Sequence, residues 1–227
     1  MRKRLFLTAL TVVLACGGAP VATAGENLES FISRSQQFWN EGLAEFVEDS
    51  REHLEGVDVE PVVAGKLKTF TEIAESYQIP AEELEKAYSL AVERAAEKSM
   101  ERLKEKLTEE RNLSDADVAF LMGSLTRFLR FHYGSFVRNY AESISEEELK
   151  SALESCLSLR MSPMVRAFLK SGECRELLKE FPADVERTVF RGMGKREREL
   201  LSSPSLTDRP TLRYILENLK RFGLAGG

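Results

Sequence analysis

The sequence predicts an all-α protein, a bundle of about seven to nine helices with no β-sheet. Apolar residues recur at spacings of three and four along most of the chain, which is the period of an amphipathic helix. Sustained alternation of apolar and polar residues is absent, as are the Asn-Gly and Asp-Gly turns of β-hairpins. Several segments also begin with residues that favour the start of a helix.

Residues 1–24 have the pattern of a bacterial secretory signal, in which a cationic head precedes a short apolar run. The run over residues 5–15 is too short to span a bilayer. Small residues at Ala22 and Ala24 suit a signal peptidase, so we expect cleavage after Ala24 and a soluble periplasmic protein. The alternative is cleavage before Cys16, which would place a lipid on Cys16 and anchor the protein to the envelope membrane.

The first half of the mature chain is predicted to contain three helices. The predicted ranges are 26–55, 61–78 and a long third helix that begins at Pro80 and continues beyond Leu107. Proline suits a first helical position, because the N–H that it lacks would be unpaired there anyway. In the third helix one apolar stripe runs among many charged residues, which is typical of a long helix with a single buried face.

Two later segments carry a capping pattern, in which a serine is followed three residues on by an acid. These are Ser114 with Asp117 and Ser145 with Glu148. The serine would accept a hydrogen bond from a backbone N–H, and the acid would face the positive end of the helix dipole. We therefore predict that one helix begins at each serine.

The C-terminal part of the chain is predicted to form shorter helices, at 163–171, 173–181, 182–202 and 209–222. Gly192 and Gly194 are expected to break the third of them. The predicted organisation is a helical domain at 25–202, a linker at 203–208, and a C-terminal helix and tail at 209–227 that dock on the same domain.

The chain is acidic, and its charge limits the partners that it can have. Removal of the three cations of the signal takes the net charge from −5 to −8. Such a surface repels nucleic acid and anionic lipid head groups, so neither is expected as a partner. Membrane contact is expected only through a lipid at Cys16. From Val185 onward the balance reverses to +4, so the charge is uneven along the chain.

Two cysteines, Cys156 and Cys174, remain after removal of the signal. In an oxidising compartment an even pair favours a disulfide, and the alternative is two buried, reduced thiols. Bonded cysteines need Cα atoms within about 7 Å of each other. The bridge therefore requires a change of chain direction between them, for which Ser171-Gly172 is the natural place.

No pattern in the sequence predicts an active site, a metal centre or a cofactor. The two histidines, His53 and His132, are far apart, and the HExxH and CxxC motifs are both absent. The segment GMGKRE at Gly192 matches a P-loop only in part, because Arg196 follows the lysine where Ser or Thr is required. We therefore predict no catalytic residue, no metal ligand and no cofactor.

The segment from Val118 to Tyr140 is predicted to be one helix, with His132 inside its apolar face. The opposite face carries a stripe that we predict to bind a partner: Phe120, Arg127, Arg130, Phe131, Gly134 and Arg138, with Gly123 between them. Glycine is a poor helix former, so two glycines on one face indicate a close approach by another chain. Arginines there would bind carboxylates, and the phenylalanines would add an apolar rim.

A second explanation of this stripe involves no partner. Another helix of the same chain would pack there, and glutamates of residues 82–110 would pair the arginines. The sequence leaves both explanations open.

Long amphipathic helices without catalytic patterns favour a binding protein. We expect an adaptor or chaperone-like module that holds another envelope protein or a peptide. The first alternative is a carrier that encloses an apolar ligand, such as a lipid or haem, within the bundle. The second alternative is an enzyme whose catalytic residues are dispersed along the sequence.

The protein recovered from the envelope fraction is expected to have an intact mass that corresponds to a chain starting at Gly25. Mass spectrometry of the purified protein checks this. A Cys16→Ser variant is the matched control, because cleavage after Ala24 does not need the thiol. A diacyl- or triacylglyceryl-cysteine at the N-terminus would contradict the expected cleavage.

Overall fold

A computed structural model describes residues 38–55, 58–109, 117, 121, 123–156 and 163–221. Within these residues the chain forms eight α-helices, one 3₁₀ turn and no strand, so the predicted fold class is confirmed. The helices are α1 (Trp39–Glu52), α2 (Glu60–Ala64), α3 (Leu67–Tyr77), α4 (Ala81–Glu109), α5 (Leu125–Cys156), α6 (Pro163–Leu169), α7 (Gly172–Ser202) and α8 (Pro210–Arg221). The predicted start at Ser114 lies outside the described residues.

The three longest helices, α4, α5 and α7, pack against one another and form the centre of the molecule. The apolar stripe predicted on α4 is buried along its whole length, at Leu84, Ala87, Tyr88, Ala91, Ala95, Met100, Leu103 and Leu107. Helix α1 packs against α4 and α7 and buries Trp39 completely. None of the helices in the described ranges is long and apolar enough to cross a membrane.

The helix predicted at 61–78 is two helices, α2 and α3, with a break at Gly65 and Lys66. The break turns Lys66 inward, where its side chain is buried and binds Glu180 and Asp184 of α7. A buried charge needs a partner, so the ion pair fixes a bend that the apolar pattern does not reveal. Helix α3 ends as predicted, because Gln78 adopts the left-handed conformation (φ 53°) of a helix stop.

The helix start predicted at Ser145 is wrong, because α5 runs without interruption from Leu125 to Cys156. Ser145 lies inside the helix and its hydroxyl donates a hydrogen bond to the carbonyl of Glu142. The acid of the supposed cap, Glu148, is buried and binds Lys98 of α4. A serine and an acid three residues apart mark a helix start only where the preceding segment is not itself helical.

The breaks predicted near Pro182 and Gly192 are also absent, since α7 is one helix of 31 residues. Phe181 and Val185 are buried on either side of Pro182, and their packing holds the helix together across the missing N–H. Gly192 faces Leu54, and a Cβ placed there would lie 2.8 Å from the Cδ1 atom of Leu54. The glycine therefore permits close packing of α7 against the chain that follows α1.

Cys156 and Cys174 are free thiols in the structure, so the expected disulfide is not formed in it. The predicted turn is present, because Ser171 caps α7 by accepting the N–H of Cys174 at 3.0 Å. Cys174 is buried, and this burial raises the pKa of its thiol to about 11. The thiol is thus protonated at neutral pH and a poor nucleophile. The pairing of Cys156 with Cys174 stays a prediction.

The last helix, α8, packs against α1 and α7. The segment predicted as a linker contains a 3₁₀ turn, Pro204–Leu206, and then a buried Thr207. Glu45 of α1 accepts the backbone N–H of Leu212 at 2.6 Å and so satisfies the start of α8. Gly42 of α1 leaves room for Ile215, whose side chain a Cβ at position 42 would overlap.

A Gly42→Leu substitution is expected to lower the free energy of unfolding by about 1–3 kcal/mol, because the new side chain overlaps Ile215 of α8. Urea denaturation followed by far-UV circular dichroism measures the loss. Gly172→Leu is the matched control, since a Cβ at Gly172 has no atom within 4 Å. A Gly42 variant as stable as this control would contradict the packing of α8 on α1.

Candidate functional site

The stripe predicted to bind a partner lies on α5, which begins at Leu125 instead of continuing from Val118. Gly123 is in a turn, and the Ser124 hydroxyl accepts the backbone N–H of Arg127 at 3.2 Å. This hydrogen bond makes Ser124 the N-cap of α5. The sequence contained that signal, but the continuous apolar pattern of the segment concealed it.

A carboxylate from another helix completes this helix start. The Glu197 side chain of α7 accepts the N–H of Leu125 at 2.6 Å and the N–H of Thr126 at 3.2 Å. It also accepts the hydroxyl of Ser124 at 2.9 Å. Glu197 is buried and its carboxylate is shielded from solvent. The N–H groups at the start of α5 and the helix dipole stabilise its negative charge.

The buried face of α5 differs from the predicted one. Its first turns bury Leu125, Phe128, Leu129, Tyr133, Gly134 and Val137. His132, predicted to lie inside this face, is instead at the surface, and its Nε2 atom lies 3.6 Å from the Asp117 carboxylate. The true face is rotated by about one residue, because the apolar series was counted from the segment before Ser124, which is not part of α5.

Three residues of the predicted stripe contact another helix of the same chain. The Arg130 Nε atom lies 3.3 Å from one carboxylate oxygen of Glu186, and Arg138 binds the other oxygen. Gly134 lies between the two arginines, and a Cβ there would be 3.4 Å from the same carboxylate. The glycine therefore makes room for Glu186. The intramolecular explanation therefore holds for Arg130, Gly134 and Arg138. The acid that pairs the two arginines is Glu186 of α7 and not one of the glutamates of residues 82–110.

Two other members of the stripe remain at the surface. Arg127 is exposed, and Phe131 is 76% exposed, the largest exposed fraction of any bulky apolar residue in the described ranges. Residues four apart lie side by side on a helix, so Arg127 and Phe131 form one surface patch. Phe120 lies outside the described residues.

Two grooves lie along the interface of α5 with α7, beside this patch. One of about 470 Å³ is lined by Gly123, Ser124, Thr126, Arg127, Arg130, Phe190, Gly194, Glu197, Arg198 and Leu201. The second, of about 320 Å³, is lined by Pro61, Val62, Arg130, Arg187, Phe190 and Arg191. Arg130 and Phe190 line both, and we call the two grooves together the arginine groove.

The arginine groove contains positive charge that the fold does not use. Arg130 is paired with Glu186, and Arg187 with Asp184 at 2.9 Å. Arg127, Arg191 and Arg198 have no side-chain hydrogen bond or ion pair with any part of the chain that the structure describes. Guanidinium groups bind carboxylates and phosphates through two parallel hydrogen bonds. The arginine groove therefore suits an anionic ligand.

Helix α7 provides half of this groove, and none of the predicted binding residues lies on it. Arg187, Arg191 and Arg198 are separated by four and seven residues, which places them on one side of a helix. That spacing was available in the sequence. The break predicted at Gly192 and Gly194 separates Arg198 from Arg187 and Arg191, so the prediction does not place the three on one helix.

A second polar cluster lies in the core and not at the grooves. The Tyr88 hydroxyl donates a hydrogen bond to Asp184 at 2.6 Å, and the Nζ atom of Lys66 lies 3.2 Å from the same oxygen. Burial raises the pKa of Tyr88 well above its ordinary value, and the Asp184 charge raises it further. The phenol therefore stays protonated and serves as a fixed hydrogen-bond donor. Across the described ranges, no group of His, Cys, Asp and Glu residues could hold a metal ion.

Comparisons with protein-family models, with curated proteins and with solved structures found no match to this chain.

Replacing Glu197 with alanine is expected to lower the free energy of unfolding by about 2–3 kcal/mol, because buried N–H groups at the start of α5 lose their acceptor. Glu197→Gln keeps one acceptor oxygen and should cost less. Chemical denaturation curves measure both values.

Glu176→Ala is the matched control for that experiment. Glu176 is a largely exposed acid of α7 that pairs with Lys179, and its loss should change stability by no more than about 0.5 kcal/mol. Equal stability of the Glu197 and Glu176 alanine variants would show that Glu197 does not hold the start of α5.

Proposed function

We propose that this chain is an exported protein of the bacterial envelope and an adaptor or chaperone-like module that holds another envelope protein. The arginine groove is the surface at which it would bind. The observation that carries this proposal is a set of three arginines around a groove, Arg127, Arg191 and Arg198, which have no ion-pair partner among the described residues of this net-acidic chain.

Charge and shape both support a protein partner. A positive groove on a chain of net negative charge attracts acidic groups and orients them before contact, over a distance of about 8 Å at physiological salt. The apolar side chains of Phe190 and Leu201 line the same space, and Phe131 is exposed on the adjacent part of α5. Arginine beside aromatic residues is the composition that interfaces between proteins favour.

The two alternative functions stay predictions. A carrier of an apolar ligand needs an apolar lining, whereas arginines line the groove described above. Native mass spectrometry after gentle purification separates these cases, because a carrier retains its ligand and an adaptor arrives empty or with a protein. The charges of the groove support the adaptor.

A double substitution, Arg127→Glu with Arg191→Glu, is expected to abolish capture of the partner from envelope extracts. Both side chains are exposed and have no ion-pair partner in the part of the chain that the structure describes, so thermal stability should change by no more than about 1 kcal/mol. Arg130 is left intact, because its loss would leave the buried Glu186 with one guanidinium fewer. Affinity capture with quantitative mass spectrometry compares the variant with the unaltered protein.

The control is Arg102→Glu with Arg175→Glu, which makes the same change in charge at exposed positions of α4 and α7 away from the groove. This control should capture the same proteins as the unaltered chain. If the groove variant also captured them in equal amounts, the proposed binding surface would be wrong.

A further inference from the structure

We infer that the arginine groove receives an extended, acidic peptide segment, whose main chain passes over Gly194 and whose carboxylates bind Arg191 and Arg198. This inference rests on the proposed function and names the part of the partner that is bound. It depends on one glycine that the packing of the chain does not explain.

Four glycines lie within α5 and α7. Gly172 is in the first turn of α7, and two of the other three lie against a side chain from another part of the fold. Gly134 gives space to the carboxylate of Glu186, and Gly192 gives space to Leu54. Gly194 has neither role: a Cβ there would meet only Arg198 Nη1 and Thr126 Cγ2, each at 3.8 Å, which is ordinary contact. An alanine would therefore fit at position 194.

Glycine inside a helix is less stable than alanine, so a glycine that packing does not need requires another reason. Gly194 lines the larger groove and lies on α7 between Arg191 and Arg198. The absence of a side chain there lets a ligand approach the helix backbone between two guanidinium groups. The main chain of a bound peptide can come this close to the helix backbone. A bulky ligand side chain would not come so close and would not require glycine at position 194.

The spacing of the arginines favours an extended segment over a small anion. Arg191 and Arg198 are seven residues apart, which is about 10 Å along α7 and about three residues of extended chain. A single phosphate or carboxylate ion would leave most of the space empty.

The lining also defines the composition of the segment. Carboxylates would face Arg127, Arg191 and Arg198, and an apolar side chain would contact Phe190 and Leu201. The acidic body of the protein repels an anionic membrane surface but does not prevent a single flexible segment from entering a local positive groove. An acidic peptide with interspersed apolar residues therefore fits better than a phospholipid head group.

The test compares Gly194→Ala with Gly172→Ala. A fluorescein-labelled peptide, Gly-Glu-Leu-Glu-Leu-Glu-Gly, is titrated with the mature protein, and binding is measured by fluorescence anisotropy at low and physiological salt. Gly194→Ala is expected to weaken binding by about tenfold while its thermal midpoint stays the same or rises. Gly172→Ala should leave binding unchanged, because nothing lies within 4 Å of its Cβ position and it is far along α7 from the groove. The Gln counterpart of the peptide should bind at least about tenfold more weakly.

Three results would overturn the inference. Unchanged affinity of Gly194→Ala would show that the ligand does not approach the backbone there. Equal binding of the Gln peptide would show that carboxylates are not recognised. Binding to phosphatidylglycerol vesicles without binding to the peptide would identify a lipid surface as the ligand. If capture from extracts still depends on Arg127 and Arg191 while the acidic peptide fails to bind, the proposed function stands and only the ligand class is wrong.

Discussion

The architecture depends on one constraint: α7 buries four charged side chains, and each must find a partner on another helix. The pairs are Asp184 with Lys66, Glu186 with Arg130 and Arg138, Arg196 with Asp49, and Glu197 with the start of α5. A buried charge without a partner is strongly destabilising, whereas its correct pairing adds little net stability. These contacts therefore act mainly by excluding other arrangements. They fix the positions of α1, α3 and α5 around α7, while the apolar faces supply most of the favourable free energy.

The same pairings determine which positive groups are left for a ligand. Glu186 forms ion pairs with Arg130 and Arg138. Glu197 accepts hydrogen bonds from the N–H groups at the start of α5, and these groups would otherwise attract an anion. Arg127, Arg191 and Arg198 form no side-chain hydrogen bond or ion pair with these carboxylates or with any other described residue. The positive character of the groove is thus what remains after the buried acids of α7 have been satisfied.

The apolar periodicity of the sequence was sufficient for the fold class and for the buried stripe of α4, because both depend on burial of apolar area. It was insufficient where a charge decided the structure. The sequence around a buried glutamate, such as Glu148 or Glu197, does not differ from the sequence around a solvent-exposed one. The pattern therefore predicted neither the uninterrupted course of α5 nor its start at Leu125. Half of the groove was predicted from α5, and the other half needed the knowledge that α7 continues through its two central glycines.

The two explanations of the α5 stripe are therefore complementary. Arg130 and Arg138 belong to the fold, whereas Arg127 and Phe131 belong to the surface, although all four lie within a few turns of one helix. Arg130 also lines both grooves, so a carboxylate bound beside it would share the guanidinium with Glu186. Arg130 would then contact both the buried Glu186 and the carboxylate of the ligand. Stability and binding can be separated only at positions such as Arg127, Arg191 and Gly194, where the groove is lined by residues that the packing of the chain does not require.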